Sequence, residues 1–348
     1  MEQMLFKKRI EWVDIARGIL IFLVCLGHRH LSAGLLTWVY TFHLPAFFLL
    51  SGYLAKNEGI AFSAFLKKKA KGLLIPYVSL GVIYIVGKFV YSFLLHKPFS
   101  ITQYLWDFIA GRKIGSSWFI VALFLVEFAA FFLQKLNIKL RLPIVACIAT
   151  GGFVLNYYIE DPLFWNVQAV PIGLLFFECG ILVKAGDIIH KIIHNKRLLI
   201  VSLSICLIGN ALATVFNERI DMNMTIYGNV GLFLLGALCG TGLVFLFSIF
   251  LEKKTKYIKK PPLFYGKNTL PIIEFHFFPV YELLEIGFYK VFGLAYNSNR
   301  FSGNIESIVY AILCFIIFIP IILFFNRCLP WCVGKKWKPR DKRKVKSD

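Results

Sequence analysis

The sequence contains few charged residues and no long polar segment. Only 17% of its 348 residues are charged and 58% are hydrophobic, whereas a typical soluble domain is about one quarter charged. The apolar residues fall in runs of about twenty, the length of helix that crosses the hydrocarbon core of a bilayer. No stretch between these runs is long enough for a soluble catalytic domain, so we expect any chemistry to take place among membrane helices.

The eight cysteines show neither metal-ligand spacing nor the pattern of a disulfide framework. Cys328 and Cys332 lie near the C-terminus. The other six fall within apolar runs, where a small polarizable side chain packs well: Cys25, Cys147, Cys179, Cys206, Cys239 and Cys314. We therefore predict no metal site and no bound cofactor.

The basic residues, 39 Lys and Arg against 19 Asp and Glu, lie in short loops between apolar runs. They do not form the folded basic face that binds nucleic acid, so we predict no nucleic-acid partner. In loops of this kind, basic residues mark the cytoplasmic side of a membrane protein. The N-terminal stretch resembles a signal peptide, but it lacks a small-residue cleavage site, and we expect it to remain as the first helix.

We predict an all-α polytopic membrane protein of about ten transmembrane helices with both termini in the cytoplasm. Thirty of the 39 basic residues then lie in cytoplasmic segments and six in outer loops. Residues 1–330 form the predicted integral membrane domain, and residues 331–348 form a basic tail on anionic headgroups. The predicted spans are 12–30, 35–55, 72–95, 115–134, 142–159, 164–183, 198–216, 225–250, 268–292 and 304–326.

The first predicted span carries three polar residues, which are costly inside a membrane and therefore candidates for function. Asp14 and Arg17 are three residues apart and can pair on one face. Arg17 and His28 are eleven residues apart, which places them on the same helical face at a separation of about 16 Å. The alternative is that Arg17 extends to the inner headgroups while His28 lies at the outer interface.

The ninth predicted span is also rich in polar residues. Glu274 and His276 lie in its first half, and Glu282 and Glu285 share a face near its outer end. These last two could equally be solvated residues at a helix end. In the second span, His43 precedes Pro45, which loosens a helix and can open a polar pocket.

Four segments in order resemble the motifs of the acyltransferase 3 family of integral membrane acyltransferases, and within it the branch of fucose 4-O-acetylase-like enzymes. The first has an arginine, ten residues and a histidine, as Arg17 and His28 do here. The second, third and fourth are Phe42-His43-Leu44-Pro45 through Ser51-Gly52-Tyr53, Ser117-Trp118-Phe119, and Gly266-Lys267-Asn268-Thr269-Leu270 followed by His276.

This resemblance implies a transferase in a bacterial cell membrane that moves an acyl group, usually acetyl, from cytoplasmic acyl-CoA to a hydroxyl of a cell-envelope or exopolysaccharide sugar. We expect Arg17 to anchor the donor, with Asp14 holding its side chain, and His28 to be the general base, because histidine suits proton removal at neutral pH. His43 and His276 are rival bases. The other candidates for substrate binding are Ser51, Trp118, Asn268, Glu282 and Glu285, and either glutamate could orient the His28 ring.

Two other functions compete with the hypothesis that the protein is an enzyme. A polysaccharide exporter or flippase would also need many helices and buried polar groups, but it predicts a continuous polar path and usually internal repeats. A structural scaffold without catalysis is disfavoured by intramembrane Arg17, Glu127 and Glu274, because such residues are costly without a use.

Overall fold

The computed structural model describes residues 9–56, 59–112, 115–159, 161–291 and 300–337, and side chains are described within these ranges except for 289–302. The described part is helical, and its one pair of β-type backbone bonds is an isolated bridge between Asp221 and Ile226. Most of the predicted basic tail, residues 338–348, lies outside the described residues.

Helices follow one another along the chain with short connections. In chain order their bounds are Glu11–Gly27 (α1), Ala33–Tyr53 (α2), Phe62–Leu94 (α3), Ile101–Ile109 (α4), Trp118–Leu133 (α5), Ile138–Asn156 (α6), Val170–Ala185 (α7), Ile188–His194 (α8), Lys196–Phe216 (α9), Val230–Glu252 (α10), Lys256–Gly266 (α11), Thr269–Phe275 (α12), Glu282–Glu285 (α13) and Arg300–Cys328 (α14).

Seven of the predicted spans coincide with helices that are long and apolar enough to cross a membrane, which confirms an all-α polytopic membrane protein. They are α2, α3, α6, α7 with the turn before it, α9, α10 and α14. The first and fourth predicted spans are the shorter helices α1 and α5, of 17 and 16 residues. Three of the long helices begin at an asparagine whose side chain accepts a backbone N–H of the first turn, namely Asn137, Asn195 and Asn229.

The prediction of one continuous ninth helix over 268–292 is wrong. After α12 the chain forms a π-helical turn, His276–Tyr281, in which Phe278 has an extended backbone with φ −123° and ψ 131°. Pro279 follows and cannot donate a backbone hydrogen bond. Interrupted helices are tolerated at membrane depth where neighbouring protein buries them, and Phe278 and Val280 are both buried.

Glycine allows α1 and α11 to approach each other closely. A Cβ added to Gly18 would overlap the carbonyl oxygen of Pro262, and one added to Gly266 would overlap that of Asp14. A similar glycine contact joins α2 to α7, where Gly52 lies against the Phe177 carbonyl. Small residues drive close helix packing in membranes because van der Waals contact replaces the hydrophobic effect there.

Candidate functional site

A cavity of about 280 Å³ lies between α1, α2, α5 and the start of α12. Its lining includes four basic side chains, Arg9, Arg17, Lys267 and Lys335, and among the described residues that line it none is acidic. We call it the basic cavity. Its other polar lining residues are Ser51, Asn268 and Thr269. The excess of positive charge suits an anionic ligand.

Asp14 is buried at the edge of this cluster and pairs more closely with Arg9 than with Arg17. The Arg9 guanidinium donates through two nitrogens to the Asp14 carboxylate, whereas the nearest nitrogen of Arg17 is 3.8 Å from it. The Arg17 side chain remains 30% exposed, on the wall of the basic cavity. The expected pair of Asp14 and Arg17 is therefore present, and Arg9 is a second and closer partner of Asp14.

The close contact between α1 and α11 places the late motif beside Arg17. Gly266 lies against α1 at the level of Asp14, and the chain then turns, so that Lys267 and Asn268 enter the wall of the basic cavity. The Asn268 amide donates to the Phe264 carbonyl at 2.6 Å. A side chain at Gly266 would push Lys267 and Asn268 away from Arg17.

A second cavity, of about 80 Å³, lies between α1, α2 and α5, and two histidines line it. We call it the histidine cavity. His28 follows the last residue of α1, and its ring is held between two hydroxyls: Tyr40 Oη lies 3.3 Å from Nδ1, and Ser116 Oγ lies 3.4 Å from Nε2. Trp118 and His43 also line this cavity.

The backbone fixes the tautomers of the two rival candidate bases, His43 and His276. His43 Nδ1 donates to the Val39 carbonyl at 2.7 Å, and His276 Nδ1 donates to the Ile272 carbonyl at 2.9 Å, so the Nε2 atom of each ring is left as an acceptor. His43 faces the histidine cavity, 5.0 Å from the Tyr40 ring. His276 is fully buried, and its Nε2 has no hydrogen-bond partner among the described residues.

Glu282 and Glu285 do not contact the His28 ring nitrogens. Glu282 accepts a hydrogen bond from Lys88 at 2.6 Å, and Glu285 accepts one from Arg29 at 2.8 Å. The expectation that one of them orients His28 is therefore wrong, because Tyr40 and Ser116 occupy the positions beside that ring. Both glutamates line a cleft of about 550 Å³ whose lining also includes His28.

The basic cavity and the histidine cavity share a wall. Phe47, Phe119 and Ile273 line both of them, and we call these three apolar residues at the boundary the apolar layer. Ser51 lies on the basic side, where its hydroxyl donates to the Phe47 carbonyl, and Trp118 lies on the histidine side. The four sequence motifs thus meet at two adjoining cavities.

Tyr40, Ser116 and Lys335 were not predicted from the sequence as residues of the site. Tyr40 lies one helical turn before His43, and Ser116 is two residues before Trp118, so proximity to the motifs was the available signal. Nothing in the sequence pattern connects Lys335 to the first helix. The carboxyl of Glu274 is fully buried, and neither of its oxygens has a hydrogen-bond partner in the described part of the chain.

A family model described as an acyltransferase domain, that of the acyltransferase 3 family, covers residues 10–327. No curated protein matches the chain. The matched range includes all four motifs, both cavities except for Arg9, Val333 and Lys335, and every predicted site residue.

Proposed function

The chain belongs to the acyltransferase 3 family, and we propose that it transfers an acyl group, acetyl in the simplest case, from cytoplasmic acyl-CoA to a hydroxyl of a cell-envelope sugar. It is a multi-pass membrane protein and an acyltransferase. The donor, the acceptor and a location in a bacterial cell membrane are part of the proposal. The observation that carries it is the pair of adjoining cavities, one basic and one with two histidines.

The basic cavity supports an acyl-CoA donor. Coenzyme A carries several phosphate charges at one end and a thioester at the end of a long neutral arm. Four cations, with no carboxylate among the described lining residues, suit the phosphates, and the apolar layer of Phe47, Phe119 and Ile273 suits the arm. The arm would carry the thioester past this layer to His28.

The histidine cavity supports base catalysis on a hydroxyl acceptor. If the Nδ1–H of His28 donates to Tyr40, the Nε2 lone pair is available to take the proton of the acceptor hydroxyl. The alkoxide oxygen then bonds to the thioester carbon, the C–S bond breaks, and the CoA thiolate leaves and takes up a proton. Ser116, beside Nε2, can contact the acceptor hydroxyl or be displaced by it.

The acceptor is expected to enter by the cleft that His28 shares with Lys88, Glu282 and Glu285. Sugars bind to surfaces that combine carboxylates with aromatic rings, and this cleft adds Phe277, Phe278 and Tyr281 to the two glutamates. An exporter is less well supported, because the layer between the two cavities is apolar and interrupts the polar path that export requires.

The test uses the full chain in nanodiscs. Acetyl-CoA labelled on the acetyl group is incubated with the protein alone and with a panel of envelope oligosaccharides, and both binding and label transfer are measured. We expect donor binding without acceptor and label on a sugar oxygen when the right acceptor is present. His194, exposed on α8, provides a matched control, since His194→Ala should leave transfer intact. Absence of donor binding would contradict the proposal.

A further inference from the structure

The segment after α14 folds back to the basic cavity. A 3₁₀ turn, Pro330–Val333, is followed by Gly334 with a positive φ of 69°, which reverses the chain at little steric cost. Val333 and Lys335 then both line the basic cavity. This segment lies beyond residues 10–327, so it is not part of the matched family domain.

The Lys335 ammonium is held in place by two amides. It donates to the Oδ1 atom of Asn326, at 2.7 Å, and to that of Asn268. The Asn326 amide in turn donates to Asn268 Oδ1 at 2.9 Å, and both asparagines therefore serve to position the lysine. An ammonium has three donors, so these two bonds leave one N–H for a ligand.

The charge on Lys335 is poorly compensated by the protein. Burial, together with the nearby cations Arg9 and Lys267, lowers the pKa of this lysine to about 8, and Asp14 only partly opposes them. Asp14 is already occupied by Arg9, and Arg17 adds a further positive charge to the same cavity. Such an arrangement is stabilised by an anion that enters from outside.

We propose that Lys335 completes, with Arg17 and Lys267, a binding site for a phosphate group of the acyl donor, so that the segment beyond the family domain is part of the donor site. This inference rests on the proposed function. Lys335 is a binding and positioning residue and takes no part in the chemistry. A lipid headgroup offers the same phosphate chemistry, and the experiment separates the two sources.

The experiment measures donor affinity for the full chain in nanodiscs of neutral phosphatidylcholine, with three probes: acetyl-CoA, its 3′-dephospho form and S-acetylpantetheine, which has no ribose phosphate or pyrophosphate. We compare wild type with Lys335→Gln, using Lys336→Gln as the matched control because Lys336 is exposed. A hydrogen bond to a charged group is typically worth about 10- to 100-fold in affinity. We expect Lys335→Gln, but not Lys336→Gln, to lose affinity for acetyl-CoA by this factor. Neither variant should lose affinity for S-acetylpantetheine.

The dephospho probe locates the contact. A loss that disappears with 3′-dephospho-acetyl-CoA assigns Lys335 to the 3′-phosphate, and one that persists assigns it to the pyrophosphate. Equal affinities of wild type and Lys335→Gln for acetyl-CoA would overturn the inference, as would an equal loss for the phosphate-free probe. If wild type binds none of the three probes, the proposed function itself fails.

Repeating the measurement in discs containing anionic phosphatidylglycerol addresses the lipid. If the donor affinities of wild type and Lys335→Gln differ only in anionic discs, Lys335 binds a headgroup and the assignment to the donor is wrong. If the loss is the same in both lipids, the donor phosphate is the ligand.

The pH dependence gives an independent readout. A phosphate requires the charged form of Lys335, so donor affinity should be full below pH 8 and fall as the pH rises through about 8. The phosphate groups of the donor are already ionised in this range, because the second pKa of a phosphate monoester is about 6 and the doubly esterified pyrophosphate is a stronger acid. The other charged side chains at this site are Arg9, Arg17, Lys267 and Asp14. In Lys335→Arg the fall between pH 7 and 9 should be smaller, since arginine stays charged; an unchanged profile would contradict the inference.

Discussion

The imidazole rings of His28 and His276 stack on each other, with centroids 5.1 Å apart and 28° between their planes. His276 is fully buried, whereas His28 lines the histidine cavity. The stack therefore distinguishes two roles, a ring that reaches the substrate and a ring that supports it.

The first prediction concerns these rings and their rival, His43. Loss of a positioned general base typically lowers the rate by about 10²- to 10⁴-fold, so His28→Ala should lose turnover by this factor at saturating donor and keep donor affinity. His276→Ala should lower turnover by a smaller factor, because the His276 ring does not line the histidine cavity. Acyl transfer after confirmed membrane insertion is the measurement. If His43→Ala abolishes turnover while His28→Ala retains it, the base is His43.

The second prediction concerns Arg17. Its guanidinium lies on the wall of the basic cavity, so Arg17→Ala should weaken acyl-CoA binding without unfolding the protein. Arg17→Lys should recover little of it if two parallel hydrogen bonds to one ligand group are needed, because lysine is a point charge. Equilibrium binding of labelled acetyl-CoA reports both. The control is Arg197→Lys at an exposed site; unaltered affinity in Arg17→Ala would refute the assignment.

The third prediction concerns the glycine contact. Gly266→Ala places a methyl group on the Asp14 carbonyl oxygen, so α11 must move from α1, and the thermal midpoint in detergent and the donor affinity should both fall. Gly151→Ala is the matched control: a Cβ there meets nothing within 4 Å, and alanine is favoured over glycine in a helix by about 1 kcal/mol. Equal behaviour of the two variants would argue against close packing.

The fourth prediction concerns a buried ion pair between α6 and α7. Arg141 donates to Glu178 at 2.8 Å, and both side chains are almost fully buried, 12% and 4% exposed. Breaking such a pair from one side leaves an uncompensated charge and costs about 3–5 kcal/mol. Arg141→Met should therefore lower thermal stability markedly, and the double variant with Glu178→Leu should recover much of it. No recovery in the double variant would show that the pair does more than balance charge.

The fifth prediction concerns topology. In a cysteine-free background, Lys97→Cys should react with an impermeant thiol reagent added outside intact cells, and Tyr257→Cys, at a position 88% exposed, should react only after lysis. The charge bias of the loops is the reason. Labelling of the second position from outside would reverse the predicted orientation.

Hydrophobic runs were sufficient to predict the helical membrane fold, because a bilayer leaves the backbone few alternatives. The third helix nevertheless begins near Phe62, ten residues before its predicted start, since Lys67–Lys69 lie on a helix although their charge suggested a loop. Lys69 reaches Glu127 at 2.6 Å, a contact between distant segments that no local pattern contains. The break at Phe278 was missed for a similar reason. Pro279 is visible in the sequence, but the sequence does not show how the neighbouring helices bury the interrupted backbone.

The part of the candidate site that the sequence defines locally is its first motif, because the spacing of Arg17 and His28 follows from their positions along one segment. Its remaining parts depend on how helices pack. Glu282 and Glu285 share a helical face as expected, yet they pair with Lys88 and Arg29 from other elements. Tyr40 and Lys335 reach the cavities only through tertiary contacts, so sequence spacing could not place them.

The apolar layer of Phe47, Phe119 and Ile273 also has a consequence for the cell. An enzyme whose donor and acceptor come from opposite sides needs openings toward both, and two such openings joined by water would let protons and ions leak down the membrane potential. If the donor and the acceptor do arrive from opposite sides, as proposed, an apolar layer between the two openings would prevent such a leak between turnovers. We expect smaller residues at these three positions to make the protein toxic by dissipating the potential, even where catalysis itself survives.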